Sequence, residues 1–246
     1  QLIDGRDVAV KVLRPHIHKK MATDIALFGA LARIIEFLAP RVRRLRLVVA
    51  VEQFKQLSEI ELDMRMEAAA GRKLRENLAE DHGIHIPWVE QSLTSENILV
   101  SEWITGLRID DVDGLKAAGH NIDKVTEQAA TSFFNQVFRD GYFHADMHPG
   151  NIFITSDGTL VPIDFGIMGN LQSEDRFFLG SLLLALLERD YDKVALLHLN
   201  AGMLPETTSL ALFAQNLRAL VDPIMDKPIG EIELSAALGQ ILQISS

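Results

Sequence analysis

The sequence carries HADMHPGNIFI at residues 144–154, and DFG follows at residues 164–166. Between these two segments, Asp157-Gly158 is a favoured two-residue hairpin turn flanked by apolar runs. If these two residues form the turn, Asn151 lies directly opposite Asp164 in the hairpin. Residues paired in this way have side chains on the same face and Cα atoms about 4.5–5.5 Å apart. The turn therefore predicts an amide and a carboxylate side by side at one end of a hairpin.

This pair of side chains suits a divalent cation, because Mg²⁺ binds one or two carboxylates together with phosphate oxygens and water. Asp146, five residues before Asn151, adds a second carboxylate on the entering loop. The alternative is that the Asp and Asn side chains only cap turns. The other face of the hairpin is predicted to be apolar and to join the core through Ile152, Ile154, Val161 and Ile163.

The composition is that of a folded globular domain, with 246 residues, 48% hydrophobic and 24% charged. The net charge of −10 argues against a general nucleic-acid-binding protein. The chain has no cysteine, which excludes disulfides, thiolate metal sites and a cysteine nucleophile. It opens on a strand without an initiating Met, so we expect it to be part of a longer protein.

The order of predicted elements indicates an α+β fold. Strands are predicted at 7–13, 87–89 and 98–104, a hairpin at 151–164, and helices at 17–38, at 48–78 with a break near Gly71, through most of 107–142, and from Ser173 to the end. We therefore expect two lobes that divide near residue 105: an N-lobe at 1–104, and a helical C-lobe at 105–246 with the catalytic loop and the hairpin.

The order of motifs resembles that of protein kinases. His-x-Asp, an Asn five residues later and Asp-Phe-Gly resemble the kinase catalytic loop and metal-binding motif. VAVK at residues 8–11 resembles the kinase strand whose lysine holds the α- and β-phosphates. The resemblance implies a two-lobed protein-kinase-like fold with ATP and Mg²⁺ as cofactors.

A narrower resemblance covers nearly the whole chain. FRDGYFHADMHPGNIF at residues 138–153 is similar to the UbiB family, the atypical kinase-like proteins of ubiquinone biosynthesis that are called ADCK proteins in animals. ELDMRMEAA at residues 61–69 resembles that family's Glu-x-Asp motif and the glutamate after it. The long helical stretch after Lys11 also resembles this family, and it implies a helical insertion before helix C.

The sequence departs from the family pattern in three places. The Lys-x-Gly-Gln motif and the alanine-rich loop over the phosphates are not in it, so we expect a truncated N-lobe and weakened nucleotide binding. The family's hydrophobic C-terminal anchor is not in it either. Finally, Gly166 is followed almost at once by a helix without an Ala-Pro-Glu segment, which argues against a protein substrate.

The resemblance assigns roles to the central residues. Lys11 is expected to contact the α- and β-phosphates and to pair with Glu67. Asn151 and Asp164 are expected to hold Mg²⁺, and Asp146 to act as base or to orient a nucleophile. The alternatives are an exposed strand lysine, a solvated acidic helix face and a loop carboxylate bonded to nearby backbone.

The remaining candidates surround this centre. Glu61 and Asp63 are expected to face the phosphates, and Asp63 and Glu67 to share one helix face. His148 stands where kinases carry a second lysine, so its charge near the γ-phosphate would depend on pH, whereas His144 is expected to brace the loop. Backbone groups for adenine are expected from Glu102, Trp103 and Ile104; the alternative is that this segment is an ordinary crossover strand.

Three functions follow as hypotheses. The first is an ATP- and Mg²⁺-dependent phosphotransferase or ATPase that supports ubiquinone (coenzyme Q) biosynthesis. The second is a non-catalytic accessory protein that binds nucleotide and a prenyl lipid. The third, a Ser/Thr protein kinase, is disfavoured by the missing activation segment.

The same resemblance implies partners and a location. The expected partners are ATP or ADP, a lipid or membrane surface and proteins of ubiquinone biosynthesis, with no nucleic acid and with a homodimer left open. The expected location is cytoplasmic, peripheral to or anchored at the inner membrane. One basic stretch could face phosphate or anionic lipid, or could be a solvated helix end: Arg33, Arg41, Arg43, Arg44 and Arg46.

Overall fold

A computed structural model describes residues 1–225, except for the side chains of residues 40–42 and 224. The chain divides into two compact units, the first formed by residues 1–170 and the second beginning at residue 171. The predicted helical tail at 226–246 lies outside the described residues. The predicted division into lobes near residue 105 stays a prediction.

A two-stranded antiparallel sheet begins the first unit. Its strands are β1 (Val8–Val12) and β2 (Ile98–Glu102), and Lys11 lies opposite Leu99. The strand predicted at 87–89 is reduced to a single bridge between Val89 and Ser101.

Three helices connect the two strands. They are α1 (Ile17–Leu38), α2 (Leu47–Glu61) and α3 (Met64–Asn77), and a short 3₁₀ turn (Pro40–Leu45) joins α1 to α2. The predicted single helix over 48–78 is wrong in one respect, because the chain breaks before Asp63 and not at Gly71.

The position of this break has a local cause. The Asp63 carboxylate accepts the Arg65 N–H at 3.0 Å and so caps the start of α3. Gly71 stays inside α3 because the Phe165 ring packs against it, and a Cβ at residue 71 would lie 3.0 Å from that ring. The glycine therefore permits a close approach and does not end the helix.

The centre of the first unit is a three-stranded sheet in the order β3 (Leu107–Arg108), β5 (Ile152–Ile154) and β6 (Leu160–Pro162). Helices α4 (Val112–Ala117) and α5 (Ile122–Phe134) contribute to its core, and a π-helical turn (Asn135–Asp140) extends α5. The buried residues of this core are Leu115, Val125, Ile152, Ile154 and Leu160. A separate ribbon pairs β4 (Tyr142–His144) with β7 (Met168–Asn170).

The hairpin of β5 and β6 differs from its predicted register by one residue. Thr155 N–H donates to the Thr159 carbonyl at 3.0 Å, so the loop has three residues and ends at Gly158, whose φ is 88°. Ile152 pairs with Pro162, and Asn151 lies opposite Ile163, whose N–H donates to the Asn151 carbonyl at 2.9 Å.

This shift also changes the apolar face, because a slip of one residue turns side chains to the opposite side of a strand. The paired buried residues are Ile152, Ile154, Leu160 and Pro162. Val161 is buried away from this face, and Ile163 is 39% exposed instead of buried. The predicted direct pairing of Asn151 with Asp164 is therefore wrong.

The second unit is helical in its described part. Its helices are α6 (Ser173–Leu187), α7 (Tyr191–Asn200) and α8 (Leu210–Met225), and the predicted helix start at Ser173 is confirmed. Tyr191, Ala195 and Ala214 form its core, and the Tyr191 hydroxyl donates to Asp222. Within residues 1–225, no helix is both long and apolar enough to cross a bilayer.

Replacing glycine by alanine should have opposite effects on stability in the hairpin loop and in α1. Gly158→Ala should destabilise the chain by about 1–2 kcal/mol, because an L-residue is strained at a left-handed φ. Gly29→Ala, inside α1 where an added Cβ meets only contacts of 3.8 Å or more, should stabilise it by about 0.5–1 kcal/mol. Urea unfolding of both variants checks this, and equal shifts would contradict the assigned loop.

Candidate nucleotide and metal site

The site is organised around an ion pair between β1 and α3. Lys11 Nζ lies 2.8 and 2.9 Å from the two carboxylate oxygens of Glu67. The Glu67 side chain is only 4% exposed, whereas that of Lys11 is 45% exposed. Burial lowers the pKa of Lys11, but the hydrogen bond and charge of Glu67 outweigh it and raise that pKa above its ordinary value. Lys11 is therefore a fixed, partly accessible cation.

The same lysine reaches the Asp-Phe-Gly segment. Lys11 Nζ lies 3.4 Å from Asp164 Oδ2, and the Gly166 N–H donates to Asp164 Oδ1 at 3.1 Å. Burial pushes the pKa of Asp164 up, but the Lys11 charge and the Gly166 N–H hold it below its usual value. Asp164 is 37% exposed, so its carboxylate stays charged and accessible to a cation.

Glu67 also links α3 to Phe165. The Phe165 N–H points to Glu67 Oε1 at 3.4 Å, and the Phe165 ring packs with Leu74 of α3 and with Leu78, which follows the helix. Burial raises the pKa of Glu67 although Lys11 opposes it. One buried carboxylate thus holds both the strand lysine and the Asp-Phe-Gly backbone.

The loop at residues 144–151 is bonded to the Asp-Phe-Gly segment at both ends. The Ala145 N–H donates to the Ile167 carbonyl at 3.0 Å, and the Ile163 N–H donates to the Asn151 carbonyl. His144 Nε2 also bonds the Asp164 carbonyl. These bonds bring the loop beside Asp164 even though the predicted register was wrong.

His144 and His148 both act within the loop. The Asp146 N–H donates to His144 Nδ1 at 3.1 Å, so the His144 proton belongs on Nε2, where it can be donated to the Asp164 carbonyl. The Gly150 N–H donates to His148 Nδ1 at 3.0 Å, which leaves His148 Nε2 as the outward donor. The bracing predicted for His144 agrees with these bonds, whereas contact of His148 with a phosphate stays a prediction.

Asn151 and Asp146 lie at the two ends of a tight turn. Asn151 is the last residue of a 3₁₀ turn (Pro149–Asn151), so strand alternation does not set its side-chain direction. Asp146 is exposed, and its carbonyl accepts the His148 N–H at 2.8 Å. Within residues 1–225, no three His, Cys, Asp or Glu side chains are grouped to hold a metal. A Mg²⁺ ion here would need Asp164, Asn151 and oxygens of a nucleotide, which is a donor set that Mg²⁺ accepts.

Glu61 and Asp63 lie on different elements and not on one helix with Glu67. Glu61 ends α2, whereas Asp63 caps α3 and forms a 2.7 Å ion pair with Arg65. The Arg65 hydrogen bonds lower the pKa of Asp63. All three acidic residues line one cavity of about 320 Å³, together with the Phe165 ring. Contact of Glu61 and Asp63 with phosphates stays a prediction.

The segment predicted to meet adenine already uses some of its backbone donors. The Glu102 N–H donates to the Trp88 carbonyl at 2.9 Å, and the Trp103 N–H points to the Asp7 carbonyl at 3.4 Å. The Glu102 carboxylate bonds His85 Nε2 at 2.8 Å. Trp103 is 60% exposed. An adenine contact would therefore fall to Ile104 or to carbonyl groups of this segment.

Sequence reasoning missed Gln136 as a positioning residue. Its side chain is 1% exposed, and its Oε1 accepts the His144 N–H at 3.0 Å. Its Nε2 donates to the Ser132 hydroxyl at 3.2 Å. An amide within the apolar run of residues 133–138 was the available signal, because a buried polar side chain requires partners.

A lysine on a strand pairs with a buried glutamate on a helix, and the His-x-Asp loop is hydrogen-bonded to the Asp-Phe-Gly segment. This combination defines a kinase-like fold. Residues 1–198 match the model of the ABC1 atypical kinase-like domain, and the chain belongs to that family. The α+β kinase-like fold and the resemblance to UbiB proteins are thereby confirmed.

Curated relatives share much of this chain. A Vibrio atlanticus (strain LGP32) protein named probable protein kinase UbiB is 40% identical over 238 residues, which are 95% of this chain and 44% of the relative. A protein of the same name from Vibrio cholerae serotype O1 (strain M66-2) is 39% identical over 239 residues, 96% of this chain and 44% of the relative. The chain thus spans less than half the length of these relatives.

A solved structure supports the same fold. The complex of Rv3197 with erythromycin from Mycobacterium tuberculosis superposes with a TM-score of 0.69 at 25% identity. The match covers 91% of this chain and 56% of that one.

The Lys11–Glu67 pair predicts a pH-dependent loss of stability. Lys11→Met should cost about 1–3 kcal/mol at pH 7, because it leaves a buried carboxylate without its partner. The pKa of Glu67 is already raised above the ordinary 4.5 in the folded chain and should rise further in the variant. When folding raises the pKa of a carboxyl group, the group contributes stability at low pH, and this contribution is lost as the pH rises through the pKa of the folded state. The cost should therefore shrink as the pH falls through this raised pKa, which lies above 4.5, because a protonated Glu67 does not need a cationic partner.

Lys55→Met is the matched control for this experiment. The Lys55 side chain is 43% exposed, close to the 45% of Lys11, but its partner Glu52 is 58% exposed. Its loss should cost no more than about 0.5 kcal/mol at any pH. Urea unfolding at several pH values measures both variants, and equal, pH-independent losses would contradict the buried pair.

Proposed function

We propose that this domain binds ATP with Mg²⁺ and acts as a kinase-like phosphotransferase or ATPase that supports ubiquinone biosynthesis. The observation that carries the proposal is the contact of Lys11 with both Glu67 and Asp164. This contact places Lys11, a cation that could bind phosphate, beside Asp164, the carboxylate best suited to Mg²⁺. The link to ubiquinone rests on the UbiB name of the relatives.

The residues divide the chemistry between them. Lys11, held by Glu67, would neutralise charge on the α- and β-phosphates, and its raised pKa keeps it protonated at neutral pH. Asp164 and Asn151 would hold Mg²⁺, which supplies charge stabilisation at the phosphates when bound. Asp146 is exposed at the edge of the loop and would orient the acceptor hydroxyl or water.

The second candidate, an accessory protein that binds nucleotide and a prenyl lipid, is favoured by one cavity. The 320 Å³ space beside α3 has both apolar and acidic walls, and Glu67 and Phe165 border it. A ligand there would touch the carboxylate that holds Lys11. Such a protein would bind nucleotide without turnover.

The proposal extends to partners and place. ATP or ADP would occupy the site, and the whole protein would work with ubiquinone-biosynthesis proteins at the cytoplasmic side of the inner membrane. The acceptor in this proposal is a small or lipid-like molecule and not a protein, because the chain passes from Gly166 to α6 at Ser173 within a few residues.

Two substitutions separate metal binding from turnover. Asp164→Asn should weaken Mg²⁺-dependent ATP binding about 10–100-fold, because an amide replaces the charged metal ligand. Asp146→Asn should leave affinity within about threefold but lower ATP turnover about 10²–10⁴-fold, as the loss of a positioned base does. Calorimetric titration with and without Mg²⁺, followed by phosphate release, measures both.

Asp123→Asn, an exposed change in the first turn of α5, is the control and should change neither quantity. Unaltered Mg²⁺-dependent binding in Asp164→Asn would reject the metal role. Mg²⁺-dependent ATP binding by the wild-type chain, with no turnover above the Asp146→Asn level, would favour the accessory function.

A further inference from the structure

The end of α1 and the turn that joins it to α2 carry an unusual set of exposed side chains. This region is the tip of the helical hairpin of α1 and α2. We call it the hairpin tip and define it by Phe37, Leu38, Arg43, Arg44, Leu45 and Arg46. Phe37 is 76% exposed, Leu38 72% and Leu45 62%. All three arginines are exposed as well.

The exposed apolar surface continues from the tip along α1. Leu27, Leu31, Ile34 and Leu38 recur at helical spacing and are between 46% and 72% exposed. Ala32 in α1 and Ser58 in α2 are the residues of these two helices that the described structure buries. The helical pair therefore buries little of its own apolar surface. Continuous exposed apolar surface of this kind marks an interaction site.

The charge of the tip is positive in a negative chain. The net charge is −10, yet the tip contains arginines and no acidic residue. The nearby acid, Glu36, accepts the Val48 N–H with its carboxylate at 3.2 Å and the Arg43 Nε–H with its carbonyl at 2.8 Å. Glu36 thus orders the turn. Its carboxylate is hydrogen-bonded to the backbone of α2 and not to an arginine.

We infer that the hairpin tip docks on an anionic lipid bilayer, with Phe37, Leu38 and Leu45 in the acyl boundary and the arginines at the headgroups. Amphipathic helices with a basic edge bind such surfaces through buried apolar area and attraction to anionic lipids. A second copy of the chain fits this surface less well, because a two-fold contact would bring two arginine clusters together. The inference deepens the membrane-surface part of the proposed function and does not need the nucleotide site.

The first experiment measures vesicle binding of the 246-residue chain by sedimentation, without nucleotide. The chain should bind phosphatidylcholine vesicles that contain phosphatidylglycerol and should bind pure phosphatidylcholine at least tenfold more weakly. Each arginine near an anionic surface contributes about a fivefold factor. Arg43→Glu/Arg44→Glu/Arg46→Glu should therefore lower binding by about 100-fold or more, and added salt should weaken wild-type binding.

The charge control is Arg75→Glu/Lys116→Glu/Lys124→Glu. It exchanges three exposed basic residues elsewhere in the first unit and changes the net charge from −10 by the same amount. Binding of this variant should fall less than threefold. An equal loss in both variants would show that only the net charge matters, and would overturn the inference.

The second experiment tests insertion at the tip. The chain has no cysteine, so Leu38→Cys accepts a single environment-sensitive fluorophore, and Lys116→Cys provides the control position. Emission at residue 38 should shift to the blue and increase on anionic vesicles, whereas emission at residue 116 should not. Binding without a change at residue 38 would place the contact elsewhere and overturn the inference. Dimerisation through the tip without vesicle binding would also overturn the inference.

Discussion

The rest of the first unit depends on the buried carboxylate of Glu67. It accepts two hydrogen bonds from Lys11 and lies near the Phe165 N–H, so a strand, a helix and the Asp-Phe-Gly segment meet at one group. A charge buried to this degree is costly unless it is paired and hydrogen-bonded. Lys11, the helix and the Asp-Phe-Gly segment are therefore held in one arrangement by the need to satisfy one carboxylate.

Around this carboxylate, backbone hydrogen bonds do most of the positioning. The loop that carries Asp146 and Asn151 is bonded at both ends to the chain that carries Asp164. His144 and Gln136 support it from the buried side through bonds to backbone groups. The Asp146 carboxylate is outside this supporting network and is exposed to solvent.

The hairpin shows that the choice of candidate residues did not depend on their predicted register, which was wrong. The residue types and their order made Asn151 and Asp164 candidates independently of the register, because they resemble the kinase catalytic loop and metal-binding motif. The register depended on whether the Asp157-Gly158 turn contains two or three residues. That choice is made by Thr155 and Thr159, whose backbone groups close the loop, and by the fit of Leu160 into the core. Such preferences are small and are decided by packing.

Local sequence determined several features by itself: the strand of Lys11, the long amphipathic α1, the start of α6 and the set of charged candidates. Each of these depends on neighbours along the chain, through side-chain period, helix-start chemistry and turn residues. Tertiary structure decided that Gly71 stays helical under the Phe165 ring and that Asp63, not a glycine, begins α3. It also forms the Lys11–Glu67 pair, which the family resemblance predicted but which local sequence cannot specify, because its two partners lie 56 residues apart in the chain.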